Sequence, residues 1–151
     1  MMDLANFDLA SDAEAGTTFH LANPRNGQPL FQEDGTPITI GIKGVDSPTF
    51  RAKAREQAAR RRDMNSSGVG PEITEEFVTR ETVELLATCT FEWSGIVCDG
   101  QPVEFSTEAA ERLYSRFFWM REQADAACSN RNLYGRPVPQ PQPSADQAAH
   151  A

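Results

Sequence analysis

The sequence predicts an α+β domain in which a small N-terminal antiparallel β-element packs on three to four helices, and three observations carry that expectation. Thr17-Thr18-Phe19-His20-Leu21 and Ile38-Thr39-Ile40-Gly41-Ile42 are β-prone runs separated by turn-forming residues. Later segments open on capping residues and continue with apolar side chains at helical spacing. A chain of 151 residues supports one modest core and is short for two.

In chain order, residues 1–16 are acidic and small, with Leu4, Phe7 and Leu9 as their larger apolar members, and are expected to form a flexible arm or an edge element. Asn23-Pro24-Arg25-Asn26-Gly27 has turn chemistry. In the second β-prone run Ile38, Ile40 and Ile42 share a face, which helices must cover. Ser47 before Pro48 starts a helix that runs to about Met64, with Phe50, Ala54 and Ala58 drifting round one side. The run from Asn65 to Pro71 ends it as a loop.

From Thr74 a second helix is expected to reach about Trp93, with Glu75 and Glu76 in its first turn. Val78, Thr82, Leu85, Leu86, Cys89 and Trp93 fall within roughly 100° of arc, opposite Glu76, Arg80 and Glu84. Ser94-Gly95 breaks it, and Asp99-Gly100 makes a turn between two short apolar runs. Ser106 caps a third helix carrying Ala110, Leu113, Tyr114 and Phe117 on one face. Phe117-Phe118-Trp119-Met120 cannot all face one core from a continuous helix, so a break is expected near Phe118. Beyond it Trp119, Met120, Ala124, Ala127 and Cys128 form a fresh stripe, which either folds back on the core or meets a partner. The domain therefore spans 17–134, followed by a disordered Pro/Gln-rich tail at 135–151.

The formal charge of −8 argues against general nucleic-acid binding. Arg51, Lys53, Arg55, Arg60, Arg61 and Arg62 nevertheless crowd into one helix. Arg51, Arg55 and Arg62 group together while Lys53 and Arg60 point the other way, a distribution that fits a solvated helix attracted to the acidic remainder or a docking face for a partner. Met1-Met2-Asp3 opens into polar residues, so no secretory signal is expected, and no apolar run is long enough for a membrane span. Cys89, Cys98 and Cys128 are odd in number and widely spaced, as reduced cytosolic thiols would be. His20 and His150 lie far apart and no nucleophile, phosphate-loop or metal motif occurs, so neither an enzyme, a cofactor nor a metal is expected.

Ile38-Thr39-Ile40-Gly41-Ile42 before the basic helix is followed in order by Glu84-Leu85-Leu86-Ala87, Trp93-Ser94-Gly95-Ile96, Asp99-Gly100-Gln101-Pro102, Phe105-Ser106, and Trp119-Met120-Arg121-Glu122-Gln123. This succession resembles the phage tail assembly chaperone family. The resemblance covers residues 38–134 and departs from the family at Phe118, where relatives often carry proline. It implies a protein of the host bacterial cytoplasm that binds the tape measure protein until tail-tube subunits polymerise, and is absent from the mature virion. It also implies a longer, frameshifted form that reaches the tail tube protein; homo-oligomers are compatible with such a role. Phe118, Trp119, Met120 and Ala124, with Arg51, Arg55 and Arg62, are the expected protein-binding residues. A virion structural role, as a minor tail or head–tail adaptor protein, is the alternative, ahead of nucleic-acid binding through 51–62.

Overall fold

The computed structural model describes residues 1–66 and 73–135. The tail expected to be disordered beyond Gly135, and the greater part of the loop expected before Thr74, lie outside the described residues.

The fold is α+β. Its sheet runs β1 (Thr17–His20), β2 (Thr39–Ile42) and β3 (Thr90–Ser94), all antiparallel with β2 in the centre. Helices α1 (Leu9–Ala15), α2 (Pro48–Ser66), α3 (Glu75–Cys89), α4 (Thr107–Arg116) and α5 (Phe118–Ser129) complete the described framework, with a short hairpin of β4 (Val97–Cys98) and β5 (Gln101–Pro102). Ile40 and Ile42 are fully buried, and they join Leu86, Tyr114, Met120 and Ala124 in one core. The isoleucine face thus finds the helical cover that so narrow a sheet needs.

Three sequence expectations are corrected. The acidic arm at 1–16 is largely helical: Asp3 caps a 3-10 turn at Leu4–Phe7, Asp8 caps α1, and Ala13 is buried. Glu14 then reaches the first turn of α2, accepting hydrogen bonds from the Thr49 amide (2.9 Å) and from Lys43 Nζ (2.6 Å). The Lys43 ammonium, with help from Thr49, holds the Glu14 carboxyl down at about 2.

The second correction concerns α3, which stops at Cys89 rather than near Trp93. Thr90-Phe91-Glu92-Trp93-Ser94 leaves the helix to pair with β2, with Trp93 opposite Ile40. Thr90 eases the exit, because its hydroxyl donates to the Leu86 carbonyl and shares a 2.7 Å hydrogen bond with the buried Tyr114 hydroxyl. Burial pushes the Tyr114 phenol up to about 12. The β-element therefore takes its third strand from mid-chain, not from the first third.

The third concerns which face of α3 is buried. Val83, Leu86, Ala87 and Cys89 enter the core with Glu81, while Val78 is 52% exposed and Thr82 and Leu85 are half-buried. The cause is α2, whose one buried residue is Gln57. Gln57 Nε2 donates to the Glu81 carbonyl (2.8 Å), Arg61 pairs with the Glu81 carboxylate (2.7 Å), and Lys53 and Arg60 both pair with Glu84. The basic helix thus sits on α3 through polar contacts that turn the Glu81 side inward. Attraction between this helix and acidic residues elsewhere, one of the two readings of its charge, is realised here.

Candidate protein-docking site

The region between the hairpin, α4 and the start of α5 is built by a succession of turns. Gly95 has φ of 77°, a left-handed conformation that costs other residues steric strain, and it ends β3 beside the Pro37 carbonyl. Its own carbonyl accepts from Gln32 Nε2. Asp99 and Gly100 take φ of 52° and 79°, the paired positive values of a two-residue hairpin turn whose twist suits its strands. Trp93 Nε1 donates to the Val103 carbonyl (2.8 Å), and its ring meets Phe105 edge to face at 5.2 Å. The expected Ser106 cap is present: its hydroxyl accepts from the Ala109 amide at 3.0 Å.

The break expected near Phe118 falls at Phe117, which is extended and serves as both the end of α4 and the cap position of α5. Its amide still closes α4 on the Leu113 carbonyl (2.8 Å), while its carbonyl starts α5 by accepting from Met120 and Arg121. This one non-helical residue redirects the chain. Met120, Ala124, Ala127 and Cys128 then turn into the core, and Arg121 fixes the corner by donating to the Tyr114 carbonyl. Gln123 clamps α5 to the loop after β1, donating to the Ala22 carbonyl (2.9 Å) and accepting from its amide (2.8 Å). A hydrogen bond with Cys89, with burial behind it, pushes the Cys128 thiol up.

A cavity of about 160 Å³ remains at this corner. Leu21, Leu30 and Ile38 form one wall, Ile96, Val97 and Cys98 another, and Leu113, Phe117, Trp119 and Met120 the third. Its lining is almost wholly apolar. It shares Cys98 and Leu113 with a wider trough of about 710 Å³ between the hairpin and α4. Charged groups edge that trough: Arg116 pairs with Asp99 (2.6 Å) and holds its carboxyl below the usual range, while Arg112 and Glu104 are exposed with no partner among the described residues. An apolar hole continued by a polar trough can take a helix that inserts one large side chain and lays charged residues along the rest.

The expected binding residues are dispersed. Trp119 is half-buried as a wall of the cavity, tilted against Phe117 at 6.1 Å. Phe118 is 60% exposed, with the Arg121 guanidinium 4.9 Å from its ring centre. Met120 and Ala124 are core residues, 3% and 0% exposed, so neither presents a surface to a partner; Met120 contributes only the cavity's inner wall. The stripe folds back because Phe117 aims α5 at the sheet. Arg51, Arg55 and Arg62 lie on α2 and line neither cavity. Arg51 stands 3.9 Å from Asp46, and Arg55 and Arg62 are exposed with no ion pair among the described residues. The sequence reading missed Leu21, Leu30, Val97 and Arg112; the apolar runs around Asp99-Gly100 were the signal that a hairpin could wall a cavity.

Among the described residues no helix is long and apolar enough to cross a membrane, and no cluster of His, Cys, Asp or Glu is placed to hold a metal ion. Comparison with family models, curated proteins and solved structures finds no match to this chain.

Proposed function

We propose that this chain is a phage tail assembly chaperone, which shields a helical segment of the tape measure protein by taking one of its large apolar side chains into the Trp119 cavity. One observation carries the reading: most of the segments that bear the family resemblance, all but Glu84-Leu85-Leu86-Ala87, converge on this corner. Gly95 and Ile96 of the Trp-Ser-Gly-Ile segment, Asp99, Gln101 and Pro102 of the hairpin, Ser106 of the helix cap and Trp119 and Met120 of the aromatic segment all line the cavity or the trough. Residues remote from each other in sequence thus build one surface of the kind that holds an amphipathic helix.

The size of the site suits a temporary complex. A cavity for one anchor, flanked by the open charges of Arg112 and Glu104, buries little area and so releases its partner readily. Such a helper acts in the host cytoplasm and leaves before the virion is complete, and a longer form would bridge to the tail tube protein.

Co-expression with the tape measure protein of the same phage tests the proposal. The tape measure protein should remain soluble and co-purify with the native chain, and lose both with Val97→Asp, which puts a carboxylate on the cavity's half-exposed rim. Equal solubility with and without the chain contradicts it. Stoichiometric recovery of the chain from purified particles contradicts it too, in favour of a structural role.

A further inference from the structure

Two of the cysteines meet in the core. Cys89 ends α3, Cys128 lies in the last turn of α5, and both side chains are buried in the common apolar cluster. One short stretch of chain supports both. The Lys43 amide donates to the Cys89 carbonyl (2.9 Å) and the Val45 amide to the Cys128 carbonyl (3.0 Å). Amides two residues apart are separated by at most about 7 Å, so the ends of α3 and α5 dock side by side just after β2. The sulfurs complete the contact, with the Cys128 thiol donating a hydrogen bond to Cys89. Cys98, half-buried beside Arg116 at the hairpin, belongs to a different surface.

We infer that Cys89 and Cys128 are a peroxide-responsive dithiol, which closes to a disulfide inside the folded chain and ties the end of α3 to the end of α5. Hydrogen peroxide, uncharged and little larger than water, is the oxidant that suits a buried pair. The Cys89 sulfur attacks one peroxide oxygen, the O–O bond breaks, and the thiol proton leaves with the second oxygen as water, giving a sulfenic acid. The Cys128 sulfur then attacks that sulfur; the S–S bond forms, the S–O bond breaks, and the hydroxyl leaves with the Cys128 proton as a second water. Cys89 reacts first, because the hydrogen bond it accepts from Cys128 and the nearby Lys43 ammonium lower its thiol below the ordinary value. Thiol reductants reverse the bond by exchange.

Access runs under α1. A crevice beside Cys128 is walled by Leu9 and Ala13 of that helix and by Val45 and Tyr134, and it is too narrow for water. Helix α1 has seven residues and is pinned by Glu14 to Lys43 and Thr49, so its lifting is the local opening that admits peroxide. The bond closes a loop that contains β3, the hairpin and α4, which restricts the unfolded chain and stabilises the fold. The inference rests on this packing alone and is independent of the partner assigned to the Trp119 corner.

Peptide mass mapping of the full chain carrying Cys98→Ser, reduced and then treated with hydrogen peroxide, tests the inference without the half-exposed thiol. A cross-link between Cys89 and Cys128 of the same molecule should form, the thermal midpoint should rise by about 5 °C or more, and dithiothreitol should reverse both. Glu14→Gln, which loosens α1, should speed the cross-linking at least about threefold. Both thiols remaining free under peroxide that oxidises Cys98 of the native chain, sulfinic acids in place of the cross-link, or a cross-link that joins two molecules overturns the inference. So does a cross-linked chain that melts no higher. A rate unchanged by Glu14→Gln overturns the route under α1.

Discussion

Helices α5 and α2 hold to the same core by different chemistry. The first enters through Met120, Ala124, Ala127 and Cys128, all buried, whereas α2 fully buries only Gln57, packs Phe50 partly against the core, and is otherwise held mainly by hydrogen bonds from Thr49 to Glu14 and ion pairs to Glu81 and Glu84. Apolar burial is strong but non-directional, so it is sensitive to volume. Polar attachment is weaker and fixes register, because a carboxylate such as Glu81, 7% exposed, is costly once its partner is gone. The two modes also leave different remainders at the surface: an apolar cavity beside α5 and an uncompensated positive flank on α2. The contact proposed at the Trp119 corner follows from the first of those remainders.

The sharpest contrast within α5 is between neighbours. Met120→Ala should cost about 3 kcal/mol in denaturant unfolding, and Phe118→Ala, two residues earlier and 60% exposed, within about 0.5 kcal/mol. Equal losses at both positions would mean that α5 does not lie as described. On the polar side Arg61→Ala should cost about 2 kcal/mol by stranding Glu81, while Arg62→Ala changes stability by less than about 0.5 kcal/mol. A smaller effect, about 1 kcal/mol, is expected for Tyr114→Phe, which removes the hydroxyl shared with Thr90 but leaves Thr90 bonded to Leu86.

The contrast explains what could be read in advance. The first two strands, the Ser47-Pro48 and Ser106 helix starts, the Asp99-Gly100 turn and the redirection after α4 were legible because each depends on local chemistry. The register of α3 was not. Its helical arc of Val78, Thr82, Leu85 and Trp93 is a sound periodicity, but the tertiary pairing of Glu81 with Arg61 and Gln57 turns the helix, and the β-branched and aromatic run from Thr90 finds a strand to join. Helix α1 was missed although Asp8 before it and Gly16 after it are cap residues, because seven residues carry little periodicity. At the candidate site Trp119 was visible as an aromatic out of step with its helix. Leu21, Leu30 and Val97 were not, since only the folded chain brings the loop after β1, the hairpin and α5 together.

The subtlest expected effect is on pH. The folded Glu14 carboxyl lies near 2, below its ordinary 4.5, so its stabilising contribution is complete above about pH 4.5 and fades as pH falls towards about 2. Over that interval the Thr49 amide, which donates to Glu14, should exchange faster relative to its intrinsic rate, and Glu14→Gln should abolish the pH dependence. Unchanged protection down to pH 2 would show that α1 is held otherwise.

Hydrogen exchange of the native chain, alone and in complex with the tape measure protein, bears most directly on the role assigned to the Trp119 corner. Slower exchange should concentrate in residues 95–103 and 117–121, the hairpin and the turn into α5, and leave the exposed face of α2 unchanged. Protection confined to α2 and α3, with the hairpin exchanging as it does in the free chain, would contradict that assignment.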